Sequence, residues 1–161
     1  MSDTGRPPPT LFLMVGLPGA GKTTVARQLE RERGALRLSP DEWLAPLFGT
    51  DEHPSPEQRK VVEALQWEVA ARALCLGVSV ILENGFWARA EREALRLRAA
   101  DLGVRSELVF LNVPRAELWA RLQRRNRERP PGTFLVTLSD LDTWLGWFEA
   151  PGEDELGPFH G

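Results

Sequence analysis

The sequence predicts an α/β fold, a mostly parallel sheet of four or five strands with helices on both faces, making a three-layer α/β/α sandwich. Two observations carry this expectation. Short, fully apolar runs alternate along the chain with longer amphipathic segments, the pattern of parallel strands joined by helical crossovers. A glycine-rich stretch, Gly16-Leu17-Pro18-Gly19-Ala20-Gly21-Lys22-Thr23, then joins the first apolar run to the first amphipathic segment.

The elements follow in order. Residues 1–10 (MSDTGRPPPT) are proline-rich and read as a flexible N-terminal tail. Leu11–Val15 (LFLMV) is a buried strand. Lys22 to about Arg33 is a helix with Val25, Ala26 and Leu29 on one face and Gly34 as its stop. Ala35–Ser39 is a second strand. PDEWLAPLFG is a short helix broken by Pro46 and Gly49, and TDEHPSP is a loop. From Glu57 to Leu76 the spacing predicts a long helix with Val61, Val62, Leu65, Val69 and Ala73 inward. Val78–Leu82 is the third strand, and ENGFW the loop after it. Ala88–Leu102 is an arginine-rich amphipathic helix. Ser106–Val113 is the fourth strand, and Pro114 opens a helix that runs through RAELWARLQRRN. RERPPGTF is a loop. Thr137–Phe148 is a last helix, with Leu138, Leu141, Trp144, Leu145 and Phe148 at helical spacing and Thr137 or Ser139 as its cap. The domain spans residues 11–150, and residues 151–161 form an acidic, glycine-rich tail.

Composition narrows the function. A chain of 161 residues holds one domain. A net charge of -3 gives no support to a broad nucleic-acid surface. One cysteine excludes an intrachain disulfide, and Cys75 reads as a buried small hydrophobe. His53 and His160 are too scattered for a zinc site. No apolar run is long enough to span a bilayer, and the N-terminus lacks the layout of a signal peptide. A cytoplasmic protein without membrane contact is the default expectation.

The glycine-rich stretch matches G-x-x-x-x-G-K-[ST] in full, with a strand before it and a helix after. Its glycines let the backbone curl so that successive N–H groups point at phosphate oxygens. The helix that follows adds its positive end. Gly16, Pro18, Gly19, Ala20, Gly21, Lys22, Thr23 and Thr24 are therefore the expected ATP-binding residues. Lys22 reaches the β- and γ-phosphates, and the Thr23 hydroxyl takes Mg²⁺. A GTP switch is set aside, because FLNVPRAEL stands where a base-reading N-K-x-D would be.

With PDEW, LENGFW and RLQRRN in addition to this loop, the chain resembles a group of small P-loop kinases. The group includes zeta-toxin-like kinases, chloramphenicol phosphotransferase and polynucleotide 5′-hydroxyl kinases, and short bacterial "AAA family ATPase" proteins resemble this chain most. The resemblance covers Leu11 to Glu149 and implies a P-loop NTPase fold with an arginine-rich lid. It implies ATP, Mg²⁺ and a hydroxyl-bearing acceptor, with the γ-phosphate passing to a small molecule or nucleoside-like compound. Asp41 occupies the place of the aspartate that takes the acceptor's proton; capping of the short helix is the structural alternative. Glu83, at the carboxyl end of the third strand, is placed to order Mg²⁺ or to touch the acceptor. Asn84 shapes the acceptor side. Among the lid arginines, Arg121 and Arg125 share a face and are expected on the transferring phosphate, and Arg124 on the nucleotide. Trp43 and Trp87 adjoin these residues and are placed to line an acceptor pocket or stack a base.

Two other readings stand beside the small-molecule kinase. A 5′-hydroxyl polynucleotide kinase is disfavoured by the charge and by the absence of an arginine just after Asp41. An ATP-binding regulatory module without a dedicated acceptor is the reading of a different class.

Overall fold

Strands β1 (Thr10–Val15), β2 (Leu36–Leu38), β3 (Val80–Gly85) and β4 (Arg105–Phe110) form one parallel sheet in the spatial order β2-β3-β1-β4. The computed structural model describes residues 7–131 and 133–156. All six residues of β1 are buried, because both faces of this central strand are covered. Leu11, Leu13 and Val15 join Val80 and Leu82 against Ala70 and Leu74 of α3 (Pro56–Cys75) and Ala99 of α4 (Arg89–Asp101). Phe12, Met14 and Ile81 pack on the opposite face against Ala26 of α1 (Lys22–Arg33). The period of two along the strand thus separates two helical layers.

A third cluster positions the glycine-rich loop. Leu17 and Ala20 from that loop pack with Leu118 and Leu122 of α5 (Arg115–Glu128) and Leu141 of α6 (Leu138–Trp147). Thr137 caps α6 through a reciprocal pair of bonds with Asp140. The remaining helices are α2 (Pro40–Phe48) and the short α7 (Glu153–Leu156). After β1 the chain crosses past β3 to β2, and it later returns to the other side of β1 to form β4. The order therefore switches at the carboxyl end of β1, where open α/β sheets hold ligands.

The structure corrects several expectations: α2 runs on through Pro46 to Phe48, and β4 ends at Phe110. In α3 the inward residues are Val62, Gln66, Ala70 and Leu74, whereas Val61 and Leu65 are 58% and 52% exposed. This helix is apolar on two overlapping stripes, so periodicity alone does not choose its rotation; the small Ala70 and the hydrogen-bonding Gln66 do. Cys75 is exposed, one position beyond the inward Leu74. β3 continues through Glu83, Asn84 and Gly85, because Val15 pairs with Gly85 across an irregular step in the register. Within the acidic C-terminal stretch, residues 151–156 pack onto the domain, with Pro151 and Glu155 buried. The far end, residues 157–161, and most of the N-terminal stretch, residues 1–6, lie outside the described residues.

Candidate active site

Gly19 and Gly21 of the loop adopt φ of +87° and +92°, a region where a side chain is strained. A Cβ on Gly19 would also stand 3.0 Å from Leu122. Gly21 is the N-cap of α1, whose first turn carries no acidic residue, so the positive end of the helix is open to an anion. Thr23 and Thr24 are exposed in that turn. From α1, the Lys22 ammonium folds back beneath the loop and donates to the Gly16 and Leu17 carbonyls, both at 3.0 Å. Burial lowers its pKa to about 8, against the opposing pull of Asp41 and Glu83.

Behind the loop, the Trp87 indole N–H donates to the Gly16 carbonyl at 3.3 Å, and its ring lies 5.8 Å from that of Trp144. Trp87 thus braces the phosphate loop and belongs to the cluster beneath it. Trp43 packs on the sheet core with Trp67.

Asp41 lies in the first turn of α2. The N-cap is Ser39, and no side-chain capping bond is made there. The Asp41 carboxylate instead accepts from Arg59 Nη1 of α3 at 3.1 Å, and Arg59 Nε donates to Glu63 at 3.1 Å. Gln66, one turn or so further along α3, donates to the Ser39 carbonyl at 3.0 Å and pins the β2–α2 junction. Asp41 is thus carried by a helix start and oriented by a guanidinium from 18 residues away in sequence.

The Glu83 side chain is 3% exposed and accepts from Arg37 Nη1 at 3.3 Å. Burial raises its pKa, and Arg37 opposes the rise. Arg37 is itself shared with Glu42 at 2.9 Å. Glu83 Oε1 is buried without a hydrogen-bond partner, as is Asn84 Oδ1. A hydroxyl at Thr23 and an orphaned carboxylate oxygen at Glu83 are hard oxygen donors of the kind Mg²⁺ takes.

The arginines of α5 divide. Arg121 lies over the loop, donating to the Gly19 carbonyl at 3.3 Å and pairing with Glu117. Arg125 is half-buried, its Nε has no partner, and burial lowers its pKa while Asp41 opposes. Arg125 and Arg59 both act on the Lys22 ammonium. Arg124 stands outside this group: its side chain is 74% exposed and pairs with Glu128. Lys22, Asp41, Glu83 and Arg125 therefore share one electrostatic environment, with Arg121 at its rim.

The glycine-rich loop, Asp41, Arg121 and Arg125 thus gather at the carboxyl end of the sheet. The AAA domain family AAA_33 matches residues 11–151. The chain belongs to that family. Its structural neighbours place this AAA_33 domain among P-loop proteins of kinase-like fold. It is similar to a chain of the Pnkp1/Rnl/Hen1 RNA repair complex, with 20% identity and a TM-score of 0.74, over 91% of this chain and 46% of that one. It thus spans about half the length of that relative. It is similar to a sugar kinase from Janibacter sp. HTCC2649, with 23% identity and a TM-score of 0.66, over 94% and 83% of the two chains. It is also similar to Kti12 of Chaetomium thermophilum in complex with ADP-AlF3, with 21% identity and a TM-score of 0.68, over 88% and 81%. No curated protein sequence matches this one.

Arg59 and Arg37 were not legible as site residues in the sequence. The one local signal was the i,i+4 spacing of Arg59 and Glu63, which gives no hint of Asp41.

Proposed function

We propose that this domain is an ATP-dependent phosphotransferase that moves the γ-phosphate of ATP to a hydroxyl of a small-molecule or nucleoside-like acceptor. The observation that carries this reading is the Asp41–Arg59 pair in the same electrostatic environment as Lys22 and Arg125.

The loop from Gly16 to Thr24 holds the nucleotide through backbone N–H groups and the start of α1. Lys22 leaves its two carbonyls for the β- and γ-phosphate oxygens. Thr23 and Glu83 are the oxygen donors for Mg²⁺, which when bound offsets charge on the phosphates. Asp41 accepts the proton of the acceptor hydroxyl as its oxygen bonds to the γ-phosphorus. The bond from that phosphorus to the β–γ bridging oxygen breaks, and ADP leaves. Arg59 holds the carboxylate in line. Arg121 and Arg125 stabilise charge on the equatorial oxygens. Asn84 borders the acceptor side.

The test is transfer of label from [γ-³²P]ATP to nucleosides, hydroxylated antibiotics and 5′-hydroxyl oligonucleotides, with wild type and Asp41→Asn in parallel. Wild type is expected to label an acceptor. Asp41→Asn is expected to transfer about 10²- to 10⁴-fold more slowly with little change in ATP binding. Equal rates would remove Asp41 as the base.

A further inference from the structure

A cleft of about 350 Å³ opens between the α2–α3 loop and the α5–α6 loop. Thr50 and Asp51 line one side; Arg125, Asn126, Arg129 and Phe134 line the other. Its walls come from opposite edges of the sheet, since α2 follows β2 and α5 follows β4. The cleft therefore bridges the carboxyl ends of the strands. Arg125 ties it to the reacting centre, because the guanidinium that lines it also feels Asp41.

Charge on α5 is distributed unevenly. Arg115, Arg121 and Arg124 pair with Asp142, Glu117 and Glu128. Arg125, Arg127 and Arg129 have no carboxylate partner among the described residues, and of these Arg125 and Arg129 line the cleft. The one acid in the lining is Asp51. Arg129 is also held in an unfavourable backbone conformation. It is the C-cap of α5, with φ +43°, and its N–H donates to the Arg125 carbonyl at 2.8 Å. Glycine fills such a cap without strain. An arginine kept in a strained conformation beside a ligand-sized cleft points to a role for its side chain.

We propose that this cleft is the acceptor site, and that it takes small hydroxyl compounds carrying an oxyanion, phosphate or carboxylate, which Arg129 binds. This rests on the phosphotransferase reading. Arg125, at the inner end, is left for the transferring phosphate. Arg129 lies one turn further along, about 6 Å along the helix axis, so the bound anion stands away from the reacting hydroxyl. The size of the cleft suits a small molecule, not a strand of nucleic acid.

Binding is measured by calorimetry on the full chain loaded with a non-hydrolysable ATP analogue and Mg²⁺. The probes are glycerol against glycerol 3-phosphate, glucose against glucose 6-phosphate and gluconate, adenosine against adenosine 3′-monophosphate, and a 5′-hydroxyl oligonucleotide. In at least one set the anionic member is expected to bind about 10- to 100-fold more tightly than the neutral one, as one charge-assisted contact allows. Phosphate and carboxylate are told apart by glucose 6-phosphate against gluconate. Arg129→Gly, which relieves the backbone strain, is expected to unfold no earlier than wild type, to bind the ATP analogue unchanged, and to erase the preference. Arg129→Lys is expected to restore part of it. The inference is overturned if neutral and anionic members bind alike or no small probe binds at 10 mM. It is equally overturned if Arg129→Gly keeps the preference or the oligonucleotide binds more tightly than every small anion. Selective binding without phosphate transfer would leave this cleft standing and remove the phosphotransferase reading instead.

Discussion

Replacing Glu155 with alanine should destabilise the domain by about 3 kcal/mol. Arg92 is fully buried and Glu155 is 2% exposed. Their two side chains meet as a fork, Nε to Oε1 at 2.8 Å and Nη2 to Oε2 at 3.1 Å. Arg92 Nη1 also donates to the Phe86 and Glu149 carbonyls at 2.9 and 2.8 Å. Removing one partner of a buried pair costs about 3–5 kcal/mol, because the other charge is left desolvated. The carbonyls that Arg92 retains put the value at the low end. For a chain of this size that lowers Tm by about 6–12 °C. The hydrogen bond from Arg92 holds the Glu155 carboxyl below its ordinary pKa. A depressed carboxylate contributes stability that is complete above the unfolded value, about 4.3, and is lost as pH falls through the folded value. The gap between wild type and Glu155→Ala should therefore be constant from about pH 6 to 8 and narrow below about pH 4. Thermal and urea unfolding across that range measure it. A Tm within 2 °C of wild type at pH 7, or a gap that persists unchanged in acid, would refute the reasoning.

Two further outcomes follow from the site. Lys22→Met should bind ATP far more weakly yet, without nucleotide or metal, unfold later than wild type at pH 7. Lowering the ammonium from 10.5 to about 8 costs about 3 kcal/mol while it stays protonated. That cost fades as wild type loses the proton above pH 8, so urea unfolding at pH 9.5 should show a smaller gap; an unchanged gap counts against it. Asn126→Ala removes both bonds to the Val136 backbone, 2.6 Å to its carbonyl and 3.1 Å from its N–H. It should cost about 1–3 kcal/mol and speed limited proteolysis between Arg129 and Val136, whereas an unaltered digestion pattern would show that Asn126 does not hold this loop.

Much of the fold was legible because it depends on local pattern. The alternation of apolar runs and amphipathic segments gave all four strands and six of the helices described here, missing only the short α7. The glycine-rich loop was legible for the same reason, since its glycines and Lys22 lie within eight residues of one another. Rotation about an element's own axis was not. In α3, neighbouring apolar stripes compete, and the sheet selected the one bearing Gln66. The buried Arg92 was hidden as well, because its partner Glu155 lies 63 residues away in a stretch that reads as an acidic tail.

The sequence by itself determined the parallel α/β class, the phosphate loop, the family resemblance and the expected place of Asp41, all of which rest on adjacent residues. Only the tertiary structure decided which distant charges meet. It set Arg59 on Asp41 and Arg37 on Glu83, left Arg125 and Arg129 without carboxylate partners among the described residues, and turned Trp87 onto the back of the loop. The physical reason is that an ion pair or a cleft depends on separation in space. The crossovers of a parallel sheet bring together residues that the chain keeps tens of positions apart.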